Sequence, residues 1–125
     1  MTHEENLNQH SDLVYINNLG EKNSIIIYAH QLNQYYHTLL GNPFQRLIHY
    51  NSHRKQYEFY RTPGILNYII TYYLHHGCLS TDINYPPEIL YDELVFFGFN
   101  IQIIYEILSN IIMINYYIPS GKNSD

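Results

Sequence analysis

Residues 62–97 read TPGILNYIITYYLHHGCLSTDINYPPEILYDELVFF, and this stretch decides the fold. Thr62-Pro63 supplies a capping residue followed by a proline, which suits the first helical position because its missing N–H has no partner there. Ile65, Tyr68, Ile69, Tyr72 and Tyr73 recur at the spacing of one buried helical face. His75 and His76 fall in the last turn, where positive charge suits the helix dipole, and Gly77 is the expected C′ residue. Pro86-Pro87-Glu88 then opens a second helix with an acid in its first turn. Leu90, Leu94 and Phe97 line its buried side, and Gly98 ends it. The short connection between the two helices predicts that they pack as a pair.

Upstream, Leu13–Ile16 and Ile25–Tyr28 read as strands around the turn residues Asn17 to Ser24, giving a hairpin. His30 to Leu40 carries Leu32, Tyr35, Tyr36, Leu39 and Leu40 at helical spacing, and Gly41-Asn42-Pro43 stops it. Leu47–Tyr50 and Gln56–Tyr60 read as two strands joined by Asn51-Ser52-His53-Arg54, with Tyr57 and Phe59 alternating with Glu58 and Tyr60. That order predicts an α/β domain, a small mixed sheet with packed helices.

Several of these segments, in this order and spacing, carry a family resemblance. They are Thr38-Leu39-Leu40-Gly41-Asn42-Pro43, Tyr57-Glu58-Phe59-Tyr60-Arg61, Pro63-Gly64, Ile69-Ile70-Thr71-Tyr72-Tyr73, Gly77-Cys78-Leu79 and Asp92-Glu93-Leu94-Val95-Phe96-Phe97. The chain resembles the potassium channel tetramerisation domain, a branch of the BTB/POZ fold, and within it the Shaker type of voltage-gated channel. Ile83-Asn84-Tyr85-Pro86 is similar to that type's Val-Asn-Val-Pro. The resemblance runs from Leu13 to Asn100 and departs at the strand end: the family's Phe-Phe-Asp-Arg is Glu58-Phe59-Tyr60-Arg61 here. Losing that acid removes a charge partner, so a network involving Arg61 has to be rewired.

The resemblance implies a cytoplasmic assembly domain that forms a homotetramer or joins related channel subunits, meeting the membrane only through the channel complex. It also implies an oligomer interface that includes Arg54, Arg61, Asn84, Asp92 and Glu93. The domain is expected over 13–100, after a disordered leader at 1–12 and before an amphipathic helical extension at 101–118 and a polar tail at 119–125. The alternative is a soluble adaptor of the same fold, binding a ubiquitin-ligase scaffold or receptor.

Composition narrows the other classes. Eleven acids against six bases give a net charge of −5, which offers no electrostatic footprint for nucleic acid. One cysteine, Cys78, suits a reducing compartment and excludes an internal disulfide framework. Eight histidines raise the question of a metal, yet their spacings lack the paired short intervals of a zinc site. Some branches of the resembled family hold zinc between subunits through a later Cys-Cys pair; no such pair follows Phe97, so no metal or other cofactor is carried over. Cys78 lies past a helix C-terminus, where the dipole disfavours a thiolate, and no nucleophilic or nucleotide-binding motif accompanies it. No catalytic function is expected. Fifteen tyrosines reflect either compositional bias or an aromatic docking surface. Residues 101–118, rich in isoleucine, have Ile104, Ile107, Leu108 and Ile111 on one stripe. The stretch barely reaches bilayer length and has Glu106 near its middle, so an amphipathic helix closing the domain is favoured over a spanning one, with a β-rich or disordered tail as the third reading.

Overall fold

The computed structural model describes residues 12–113. The expected leader before Asp12, the end of the C-terminal helical segment and the polar tail lie outside the described residues. Four strands, β1 (Leu13–Asn18), β2 (Ile25–Tyr28), β3 (Tyr50–Asn51) and β4 (Gln56–Phe59), form one mixed sheet in the order β2-β1-β4-β3. β1 pairs antiparallel with β2 and parallel with β4, while β3 runs antiparallel to β4. Among the described residues the helices are α1 (Ala29–Asn33), α2 (Pro43–Leu47), α3 (Ile65–Leu74), α4 (Pro87–Phe96) and α5 (Ile101–Ile112).

α3 is the most buried helix. Ile65, Tyr68, Ile69, Tyr72 and Tyr73 face the core as their spacing predicts, and Leu66 and Ile70 are buried as well. Burying an aliphatic side chain of this size stabilises the fold by about 1.5–3 kcal/mol. Its backbone approaches α1 and that of α4 approaches α5, while the buried side chains of α3 and α4 belong to one core. Leu90, Leu94 and Phe97 are wholly buried, and so are Ile104 and Ile111 of α5, which joins the same core.

Local chemistry explains where the elements depart from expectation. β1 continues through Asn17 and Asn18, residues read as turn formers, because both are buried and Asn18 finds polar partners across the fold. The helix expected over 30–40 stops at Asn33. Beyond it the Thr38 hydroxyl donates to the Tyr35 carbonyl at 2.8 Å and accepts from Gly41 N at 3.0 Å and Tyr73 Oη at 2.6 Å. Leu39 N turns outward to the Phe97 carbonyl at 2.9 Å, a bond that a continuous helix would not allow. Asn42 does more than stop a helix: its side chain accepts from Phe44 N and Gln45 N and starts α2 with Pro43 at the first position. Leu47 therefore lies in a helix, and the strand expected at 47–50 is reduced to Tyr50–Asn51.

Both ends of α3 differ too. The N-cap is Gly64 in the left-handed region, because the Thr62 hydroxyl is drawn to Glu93 instead. His75 and His76 lie past the last helical residue; His76 takes the left-handed C′ position and Gly77 N bonds back to the Tyr72 carbonyl at 2.7 Å. Gly98 ends α4 as expected, with Phe99 N closing onto the Leu94 carbonyl. Among the described residues, no helix is long and apolar enough to cross a membrane.

Candidate assembly interface

The residues singled out in the sequence divide between a closed polar joint and several exposed positions. The joint sits where β4 leaves the sheet and turns into α3. Arg61 Nε donates to Glu93 Oε1 at 3.0 Å, the Thr62 hydroxyl donates to Glu93 Oε2 at 2.6 Å, and the Arg61 guanidinium lies 3.8 Å from the centre of the Phe96 ring. Glu93 is almost fully enclosed, with its side chain 6% exposed, whereas that of Arg61 keeps 29% of its surface. A buried carboxylate needs this full set of partners, since an unpaired one costs several kcal/mol.

Asn18 completes the joint from the sheet side. Its Oδ1 accepts from Arg61 N at 2.8 Å, and its Nδ2 faces the Arg61 and Thr62 carbonyls and Glu21 Oε2 at 3.1–3.3 Å. Glu21 Oε2 also accepts from Gly64 N at 2.7 Å, and Tyr85 Oη donates to the Pro63 carbonyl at 2.6 Å. Residues 61–64 are thereby fixed from three directions. Gly64 is required there: its φ is +79°, and a Cβ would come within 2.8 Å of Tyr85 Oη. Sequence reasoning missed Asn18 and Glu21, because an Asn-Asn pair before a glycine reads as a turn.

Of the two adjacent acids, Glu93 thus takes a basic partner while Asp92 faces solvent. Asn84 is exposed in the segment leading into α4. Arg54 lies at the β3–β4 turn and pairs with Glu58 at 3.0 Å. Gln56 and Asn51 also donate to Glu58, and these bonds hold its carboxyl below the usual range. The acid at an unusual strand position is therefore neutralised locally, and the rewired partner of Arg61 is Glu93. Tyr60, which stands where the family has an acid, is 84% exposed.

The described tyrosines range from core to surface, with Tyr35, Tyr57 and Tyr85 half-buried between the two. Tyr68, Tyr72 and Tyr73 are core residues whose hydroxyls are pushed up by burial, while Tyr36, Tyr60, Tyr91 and Tyr105 face outward. His49 stacks on Phe59 at 4.5 Å, and burial lowers its pKa below 6.5. Among the described residues no three His, Cys, Asp or Glu side chains come together as metal ligands would. What this geometry can do is hold a rigid surface on which exposed polar and aromatic groups are displayed.

The sequence profile of the BTB/POZ domain matches residues 14–107. Potassium voltage-gated channel subfamily A member 10 of Gallus gallus is 35% identical over 66 residues, which are 53% of this chain and 13% of the channel subunit. The alignment therefore spans only a small part of the length of that relative.

Proposed function

The chain belongs to the BTB/POZ domain family, in its potassium channel tetramerisation branch, and from that membership we propose that it directs the assembly of Shaker-like channel subunits. The observation that carries this reading is the family match over residues 14–107 together with the similarity to a channel subunit. That similarity favours the channel-type assembly domain over the soluble adaptor. The role is one of binding, without catalysis: the domain associates with itself as a homotetramer or with related subunits at the cytoplasmic face of a membrane that the channel spans.

The proposed unit covers residues 13–100, with 101–118 as its extension. In a ring each subunit meets its neighbour through two different faces, so the contact residues need not cluster in one subunit. Asn84 and Asp92 are exposed, Arg54 is exposed while paired with Glu58, and Arg61 keeps part of its surface, so all four can act as contacts. Glu93 acts indirectly, by holding the Arg61 side chain in one position.

Co-expression with a differently tagged assembly domain from a subfamily A channel tests the reading. Mixed oligomers recovered through either tag are the expected result. Separate homo-oligomers, with no exchange between the two, would count against a shared assembly code.

A further inference from the structure

A groove of about 360 Å³ opens between β1, α2 and the β3–β4 turn. Its lining includes Leu13, Tyr15, Phe44, Leu47 and Tyr50, large apolar side chains that are all exposed. Phe44 is 76% and Leu47 57% exposed, and Ile48, 81% exposed, follows directly at the end of α2. A helix one turn long that presents three such residues to water has a face suited to a partner.

Two cations give the groove a sign. Lys55 lines it and has no ion-pair partner among the described residues. Arg46, only 5% exposed, also contributes to the lining. Its Nη1 donates to Asn33 Oδ1 and the Leu40 carbonyl, but Nε has no hydrogen-bond partner and no described carboxylate neutralises the charge. A buried guanidinium without a counter-charge raises the local potential, because little water screens it. The single carboxylate in the lining is Asp12.

The complementary surface lies on α4. Glu88, Tyr91, Asp92 and Val95 are exposed and recur at i, i+3, i+4 and i+7, so they form one stripe along the helix. The hollow beside it is lined by Pro87, Tyr91 and Leu108 together with the two acids. Neither Glu88 nor Asp92 has an ion-pair partner among the described residues. One face is apolar with two cations against one carboxylate, the Arg46 guanidinium lying over the Tyr57 ring; the other is apolar with two acids and no cation in its lining.

We propose that the acidic stripe of α4 in one copy of this chain docks in the β1–α2 groove of the next copy. The proposal rests on the self-assembly reading above and names the two faces that carry it. A helix stripe laid in an apolar groove is an established mode of recognition, and the opposed charges set its register. Because the two faces differ, the contact is head-to-tail and propagates around a ring that closes.

Charge exchange on the full chain tests this. Sedimentation equilibrium would be run on the unaltered protein, Lys55→Glu, Asp92→Lys and the double variant, with circular dichroism confirming that each is folded. Each single reversal places like charges opposite one another and should raise the dissociation concentration at least about tenfold. The double variant should recover most of that loss. Leu47→Asp supplies a second, uncharged-to-charged probe and should weaken assembly while leaving the fold intact. An assembled protein insensitive to all of these changes overturns the proposal and leaves self-assembly standing. So does weakening by Lys55→Glu that Asp92→Lys neither matches nor rescues, which would give the groove to another acidic occupant. An unaltered chain that stays monomeric throughout overturns both.

Discussion

At the joint between the sheet and α4, Glu93 accepts from the Arg61 and Thr62 side chains, and Asn18 bonds the backbone of the same two residues. At the β1–α2 groove, Arg46 is buried with an unpartnered Nε, Lys55 has no carboxylate, and Phe44, Leu47 and Ile48 face water. Both regions join charged groups to aromatic ones. The joint is satisfied within a single chain, whereas the groove leaves apolar and charged groups open, and on the proposal above that difference separates residues that hold the subunit together from those that meet another copy.

The contrast is most exposed to test at its buried end. Glu93→Ala should lower the unfolding free energy by about 2–4 kcal/mol, since it strands a partly buried guanidinium and removes two charge-assisted bonds. Chemical denaturation measures this; a loss under half that size would mean the joint is held by apolar packing alone. Asn18→Ala should follow at about 1–3 kcal/mol, because the Arg61 N–H and neighbouring carbonyls lose their partner. Gly64→Ala should cost about 1–3 kcal/mol through its left-handed backbone and the crowding by Tyr85. At the other end of the comparison, Leu47→Ser should change subunit stability by no more than about 0.5 kcal/mol, as exposed substitutions do. If it instead destabilised the isolated subunit as much as Asn18→Ala, the groove would be part of the fold and the distinction would fail.

A smaller effect concerns pH. His49 is stacked against Phe59 and partly shielded from water, which depresses its folded pKa below 6.5. The folded state therefore binds this proton less readily than the unfolded chain. Stability from this residue is present above the unfolded value and is lost as pH falls from about 6.5 through the folded pKa. Thermal melts between pH 7.5 and 5.5 should show the midpoint falling, and His49→Phe should flatten that fall. Glu58 titrates in a lower range, since its carboxyl is depressed below 4.5.

The parts of the fold that were legible in the sequence are those where periodicity and capping agree. α3 and α4 carry unbroken apolar stripes, and Gly98 ends α4 where only a left-handed residue closes the helix. The segment 34–41 was not legible as non-helical: its apolar spacing fits a helix, but the Tyr73–Thr38 and Leu39–Phe97 bonds involve residues far along the chain. The start of α2 is legible too, since Asn42-Pro43 is a capping signal as well as a helix stop. For the joint, the pairing of Arg61 with one of two adjacent acids is visible in outline, as only one of them can face inward. Asn18 and Glu21 were hidden because their partners lie more than forty residues away in sequence. The groove depends wholly on tertiary placement: nothing in the spacing of Leu13, Phe44 and Lys55 brings them to one surface.

The central claim is that the chain assembles with itself through surfaces that its own fold leaves incomplete. Light scattering on residues 1–125 across a dilution series tests it most directly. The account predicts a stable species of four 15.0 kDa chains. A single-chain mass at every concentration would contradict it.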